Sequence, residues 1–248
     1  MSSKIIFWIN DALAFVGLPK TLQEKYNFDI YTILDVTDKQ KIFFQEQKLI
    51  KFSNIWFFHD HVSKTSKKPD TEYLKLVETK YKIDILSLIS NERFFNEWNR
   101  YYKFSSDEKL SILEQECKLF EKILDEVQPD FLIIPQTTLH HNHLFYEICK
   151  SKGIKVLMIR PSFFVGRKII SSEFDSLDNI QINNKFHFDS LVDIQNYLKK
   201  YDATAKARRE LENWLASKTD YLRSILKFLF SNNTNVKTHY TYYGRTKF

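Results

Sequence analysis

Three histidines within four positions, His140, His141 and His143, are the residues best suited to do chemistry in this chain. An imidazole titrates near neutral pH, so each can serve as a general acid or base. They lie between two apolar runs: PDFLIIPQ (129–136) leads into the loop TTLHHNH, the helix LFYEICKSKG and a second run, IKVLMIRPS (154–162). Two continuous apolar strands joined by one helix are the pattern of a parallel βαβ unit covered on both faces. A loop leaving the carboxyl end of the first strand lies where open α/β sheets bind ligands. Free backbone N–H groups at the helix start near Asn142 also favour an anion there. No Cys or Asp stands at a supporting spacing, so a metal site is not expected. The alternative reading makes the three histidines ordinary loop and helix-start residues.

Other groups are predicted to reach the same sheet edge. Arg160-Pro161-Ser162 and Gly166-Arg167-Lys168 follow the second strand of the unit, and arginine suits phosphate or carboxylate. Asn10-Asp11 ends the first apolar run, KIIFWIN, and His59-Asp60-His61 ends a third, IWFFHD. Ordinary loop charge and strand termini are the plain alternatives. The glycine-rich dinucleotide fingerprint, the phosphate-cradling P-loop and the serine nucleophile elbow are all absent, which argues against three large enzyme classes.

The elements that must position these residues follow from periodicity. Strands at Lys4–Asn10, Phe28–Val36 and residues 55–60 alternate with helices over about 12–26 and 38–48, the order of a parallel sheet with crossover helices. Thr71 opens a helix to about Lys82, and another piece covers Asn91–Tyr102. From Ser106, the residues Leu110, Leu113, Cys117, Phe120, Leu124 and Val127 make one apolar helical stripe that Pro129 ends. Helices over 190–201 and 203–230 close the chain before a polar, tyrosine-rich tail. The expected division is an α/β domain over 1–188, a helical segment over 189–231, and a linker or tail over 232–248.

Composition narrows the class. Four glycines and five prolines in 248 residues argue against low-complexity or turn-rich all-β sequence. Cys117 and Cys149 fall on apolar helix faces and read as buried free thiols of a reducing compartment. The amino terminus reads as a strand, not a signal peptide, and no run approaches the roughly 20 apolar residues that span a bilayer. A cytoplasmic protein is expected. Of the net charge of +6, residues 199–248 hold eleven Lys or Arg against four Asp or Glu, leaving 26 against 27 in the rest. The basic end suits phosphates, acidic glycans or an anionic membrane surface, or is a solvated helix face. Tyr240, Tyr242 and Tyr243 have the chemistry to stack bases, but no RNA-binding signature accompanies them, and no nucleic-acid partner is expected.

KIIFWIN, the long helix leading into PDFLIIPQ, HLFYEICKSKGIKVLMIRPS and GRKIISSEF together resemble the amino-terminal half of bacterial capsular and surface polysaccharide biosynthesis proteins of the two-domain GT-B glycosyltransferase type. HYTYYGRTKF is similar to the connector before their second domain. The resemblance implies a Rossmann-like parallel sheet with flanking helices. It implies a domain that binds a glycan or lipid-linked acceptor, while a second domain absent from this chain holds the nucleotide-sugar donor. Catalysis then needs no bound cofactor or metal, and this half alone is inactive. His141 or His143 is the base that the resemblance implies, with His140, Arg160 and Arg167 at the same cleft; Asn10, Asp11 and Ser162, read from their places at the strand ends, are expected to bind substrate with them. The alternative is a non-catalytic module that binds a partner or polyanion through its basic carboxyl-terminal helix.

Overall fold

A computed structural model describes residues 2–10, 14–36, 38–162, 168–178, 189–200, 222, 223, 226, 230 and 239–245. The strands β1 (Ser3–Ile9), β2 (Phe28–Leu34) and β3 (Asn54–Phe57) alternate with the helices α1 (Ala14–Lys25) and α2 (Asp38–Glu46). After α3 (Thr71–Tyr81), α4 (Ile85–Asn91) and α5 (Ser106–Val127) come β4 (Phe131–Pro135), α6 (His140–Ser151) and β5 (Lys155–Pro161). The fold is thus the α/β class that the apolar runs predict.

Within the first unit the strand order is β3-β2-β1-β4-β5. Every pair is parallel, β1 matching β2 from Ser3–Phe28 to Ile9–Leu34 and β4 from Ile5–Phe131 to Phe7–Ile133. β1 is central, so its two faces are both covered and Ile5 to Ile9 are all buried. Ile6 and Trp8 join a core with Val77 of α3, Phe120 of α5 and Phe145 of α6. Ile5, Phe7 and Ile9 join a second core with Phe44 of α2 and Leu22 of α1. Helices therefore cover both faces of a Rossmann-like sheet, and each fully buried large apolar side chain stabilises the fold by about 1.5–3 kcal/mol. The order reverses between β1 and β4, which opens a crevice at the carboxyl ends of these strands.

α5 follows its predicted stripe, with Leu113, Cys117 and Phe120 fully buried. Its cap is Ser105, the residue before Ser106. Ser105 accepts from the Glu108 N–H and the Glu108 carboxylate accepts from the Ser105 N–H, a complete capping box. Ser105→Ala is therefore expected to cost about 1 kcal/mol of stability, read as a lower urea midpoint at unchanged slope.

The helix expected over Asn91–Tyr102 is not formed. α4 ends at Asn91, Glu92 adopts an extended conformation, and a single π turn follows over Phe94–Trp98. The break at Glu92 sends its carboxylate to the start of α6, as described below.

The chain divides into two compact units, Met1–Ile159 with Asn233–Phe248, and Arg160–Asn232. This differs from the expected division at 188 and 231, because the segment read as an outgoing tail belongs to the first unit. Tyr240 is fully buried there, and Asn99 Nδ2 donates to the Tyr243 carbonyl at 2.9 Å. Gly244 has φ +73, and a Cβ at this position would collide with the Tyr101 carbonyl. In the second unit, β6 (Lys168–Ser171) leads into a turn where the Ser172 N–H and hydroxyl both donate to Asp178. α7 (Leu191–Lys200) matches the helix expected over 190–201. Most of the helix expected over 203–230 lies outside the described residues. No helix among the described residues is long and apolar enough to cross a membrane.

Candidate functional site

Four strands of the first unit, β1 to β4, are each followed by a polar group at the carboxyl end. Asn10 follows β1, Asp35 follows β2, and His59 lies in the 3-10 turn Phe58–Asp60 directly after β3. His140 and His141 open α6 after β4, so the segment TTLHHNH is only partly the loop that its composition predicts. The segment around Tyr240 supplies His239 and Tyr240 to the same unit.

These groups form one chain of polar contacts. His59 Nε2 is 2.7 Å from Asp35 Oδ1, and His141 Nε2 is 3.0 Å from Asp35 Oδ2. His141 Nδ1 lies 3.1 Å from the Tyr240 hydroxyl. With Nε2–H donating to the carboxylate, Nδ1 is left to accept from Tyr240. The Trp8 ring stacks on His141 with centroids 5.6 Å apart, which fixes the plane of the imidazole. Burial pushes the Asp35 carboxyl up, but His141 and then His59 outweigh it and hold Asp35 well below the usual carboxylate range.

His140 has a different part. Its Nδ1 is 2.6 Å from Glu92 Oε2 and its Nε2 is 3.1 Å from Glu116 Oε1, with all three side chains buried. The His140 backbone N–H also donates to Glu92 Oε2 at 2.7 Å. The anion that the helix start favours is thus the protein's own Glu92. Burial lowers the affinity of His140 for its second proton, but Glu116 and then Glu92 reverse this and raise it to about 10. Burial likewise raises Glu92, and His140 overrides it to bring the carboxyl down to about 2.

The sign of the resulting pH dependence follows. His140 binds its proton more tightly folded than unfolded, so its contribution is complete below its ordinary 6.5 and is lost as pH rises through about 10. The melting temperature is expected to fall between pH 7 and pH 10, and His140→Gln is expected to flatten that limb in a thermal scan at each pH.

A cleft of about 480 Å³ opens beside this network, lined among others by Asn10, Asp35, Gln136, His141, Asn142 and His239. Phe94, Trp98 and Tyr242 give it an aromatic wall. Volume and lining match a small-ligand site with convergent polar groups. Burial, then His59, lowers His239 to about 2, so its ring is neutral across the physiological range.

Of the residues singled out from sequence, Asn10 and His141 line the cleft. His140 is a correction in placement, since both its ring nitrogens are taken by buried carboxylates and it does not line the cleft. His143 is half-buried and also absent from the lining, with Nε2 3.6 Å from Glu147; burial lowers it from its ordinary value. Arg160 and Ser162 fall in the second unit, where Arg160 Nη1 donates to the Ser176 carbonyl at 2.7 Å. Asp11 and Arg167 lie outside the described residues. Asp35, Glu92, Glu116 and His239 were not singled out. Only Asp35 had a readable signal, as an acidic residue ending an apolar run.

The fold and site together define a Rossmann-like α/β domain whose polar groups converge at the carboxyl edge of a parallel sheet. No protein-family model matches the chain, and no curated protein matches it in sequence. Among solved structures it is similar to a UDP-N-acetylglucosamine 2-epimerase, at 10% identity and a TM-score of 0.37. That alignment covers 67% of this chain and 35% of the epimerase chain.

Proposed function

We propose that this chain is the acceptor-side part of a GT-B-type glycosyltransferase acting in surface or capsular polysaccharide biosynthesis. The observation that supports this reading best is the cleft in which His141, paired with Asp35, meets Asn10 and an aromatic wall. A hydroxyl of a glycan or lipid-linked acceptor would take the place of the Tyr240 hydroxyl on His141 Nδ1, leaving Tyr240 to donate to Glu116, and aromatic faces suit the apolar faces of sugar rings. Asp35 orients the imidazole and stabilises the imidazolium that forms when it takes the acceptor proton, the division of labour of a carboxylate–histidine pair. A nucleotide-sugar co-substrate would come from a second domain outside this chain. In this reading the protein works in the cytoplasm, with its basic end against the anionic inner face of the membrane.

The test is a screen of nucleotide-sugars against the whole protein, measuring acceptor-dependent nucleotide release. Turnover of one or a few donors is the expected result. The reading fails if no nucleotide-sugar is turned over with any glycan or lipid-linked acceptor.

A further inference from the structure

We infer that Asp35, His59 and His239 form a binding site for one divalent transition-metal ion of the zinc type, with a coordination position open to the cleft. The three residues come from the end of β2, the turn after β3 and the segment before Tyr240. Each offers one ligand atom, and those atoms lie within 4.8 Å of one another. Zinc bonds of about 2.0–2.1 Å to nitrogen and oxygen set ligand atoms about 3.3 Å apart in a tetrahedron, so small ring rotations close the set.

Three further observations bear on the same place. First, the His59 side chain is only 9% exposed, and its Nε2 faces Asp35 Oδ1 at 2.7 Å, so this is the ring nitrogen that an ion shared with Asp35 would take. Second, Thr241 engages His239 Nδ1 through both its N–H, at 3.3 Å, and its hydroxyl, so an ion would take Nε2, with the ring proton moved to Nδ1 and donated to the Thr241 hydroxyl.

Third, Asp35, Glu92 and Glu116 bring three carboxyl groups to the network, and a dication beside them would offset part of their charge. His141 holds the second oxygen of Asp35 at 3.0 Å and so orients the carboxylate, as outer-shell partners of metal ligands do.

Two imidazoles and one carboxylate suit zinc and its neighbours, whereas magnesium and calcium call for oxygen ligands. Asp35 and His239 also line the cleft, so a fourth ligand could be water or substrate. Spacing in sequence cannot reveal such a set, because its members lie at positions 35, 59 and 239. The inference does not rest on glycosyl transfer and departs from the metal-free chemistry expected there. Metal binding without transferase activity would leave it standing.

The test uses tag-free protein of the full chain, stripped with chelator and titrated with Co2+, then competed with Zn2+. One equivalent of Co2+ with the intense visible absorption of a four- or five-coordinate ion is expected. His239→Gln and His59→Ala should each weaken binding by more than about 100-fold, and His141→Gln by about 10–100-fold, while His143→Ala binds as the parent does. Circular dichroism identifies a variant that has unfolded, and the reading then rests on His239→Gln and on the parent spectrum. Sub-stoichiometric binding by the parent, an octahedral Co2+ spectrum, or affinity undiminished in His239→Gln would each overturn the proposal.

Discussion

His140→Ala is expected to lower the unfolding free energy by about 3–5 kcal/mol, the usual cost of removing one partner of a buried ion pair. His140 bonds Glu92 and Glu116 through its two ring nitrogens, and its removal leaves two buried carboxylates without their cation. The His140 N–H would still donate to Glu92, so α6 keeps its start while the core beside it carries an uncompensated charge. Equilibrium urea unfolding measures the loss. An unfolding free energy within about 1 kcal/mol of the parent would show that the pair adds little. Adding Glu92→Gln and Glu116→Gln to His140→Ala removes the stranded charges, and most of the lost stability is expected to return.

The second large effect concerns turnover. His141→Gln is expected to lower kcat/KM of the whole protein by a factor of about 10²–10⁴, the range over which a positioned acid or base contributes. His143→Gln is expected to stay near the parent value. The two histidines stand two positions apart on the first turn of α6, yet only His141 lines the cleft and bonds to Asp35. A uniform loss in both variants would point to damage at the helix start, whereas a loss in His141→Gln alone supports the pairing. Folding is separable from chemistry here, because the glutamine amide can still donate to Asp35.

Much of the fold was readable because parallel strands buried on both faces leave continuous apolar runs. KIIFWIN, FDIYTIL and FLIIP each became a strand, and the three-and-four spacing of Leu113, Cys117, Phe120 and Leu124 became the buried face of α5. The helix expected over Asn91–Tyr102 failed for a reason that local pattern cannot carry. Glu92 leaves the helix to reach His140, 48 positions away. The site was half readable in the same sense. Rules about strand ends pointed to Asn10 and to the histidines after β4, and the same rule applied to Asp35 would have found its partner. Which histidine of a consecutive pair faces the cleft depends on the packing of α6. The role of His239 and Tyr240 depends on the carboxyl-terminal segment returning to the first unit, and a polar, tyrosine-rich composition holds no trace of that return.

The central claim is that Asp35 and His141 act as one catalytic unit in the cleft. A double-mutant cycle on kcat/KM with Asp35→Asn, His141→Gln and the combined variant tests it directly. Residues that work through one another give a double variant no worse than the poorer single one, and this strongly non-additive result is predicted. Losses that multiply independently, or two single variants with undiminished kcat/KM, would contradict the account.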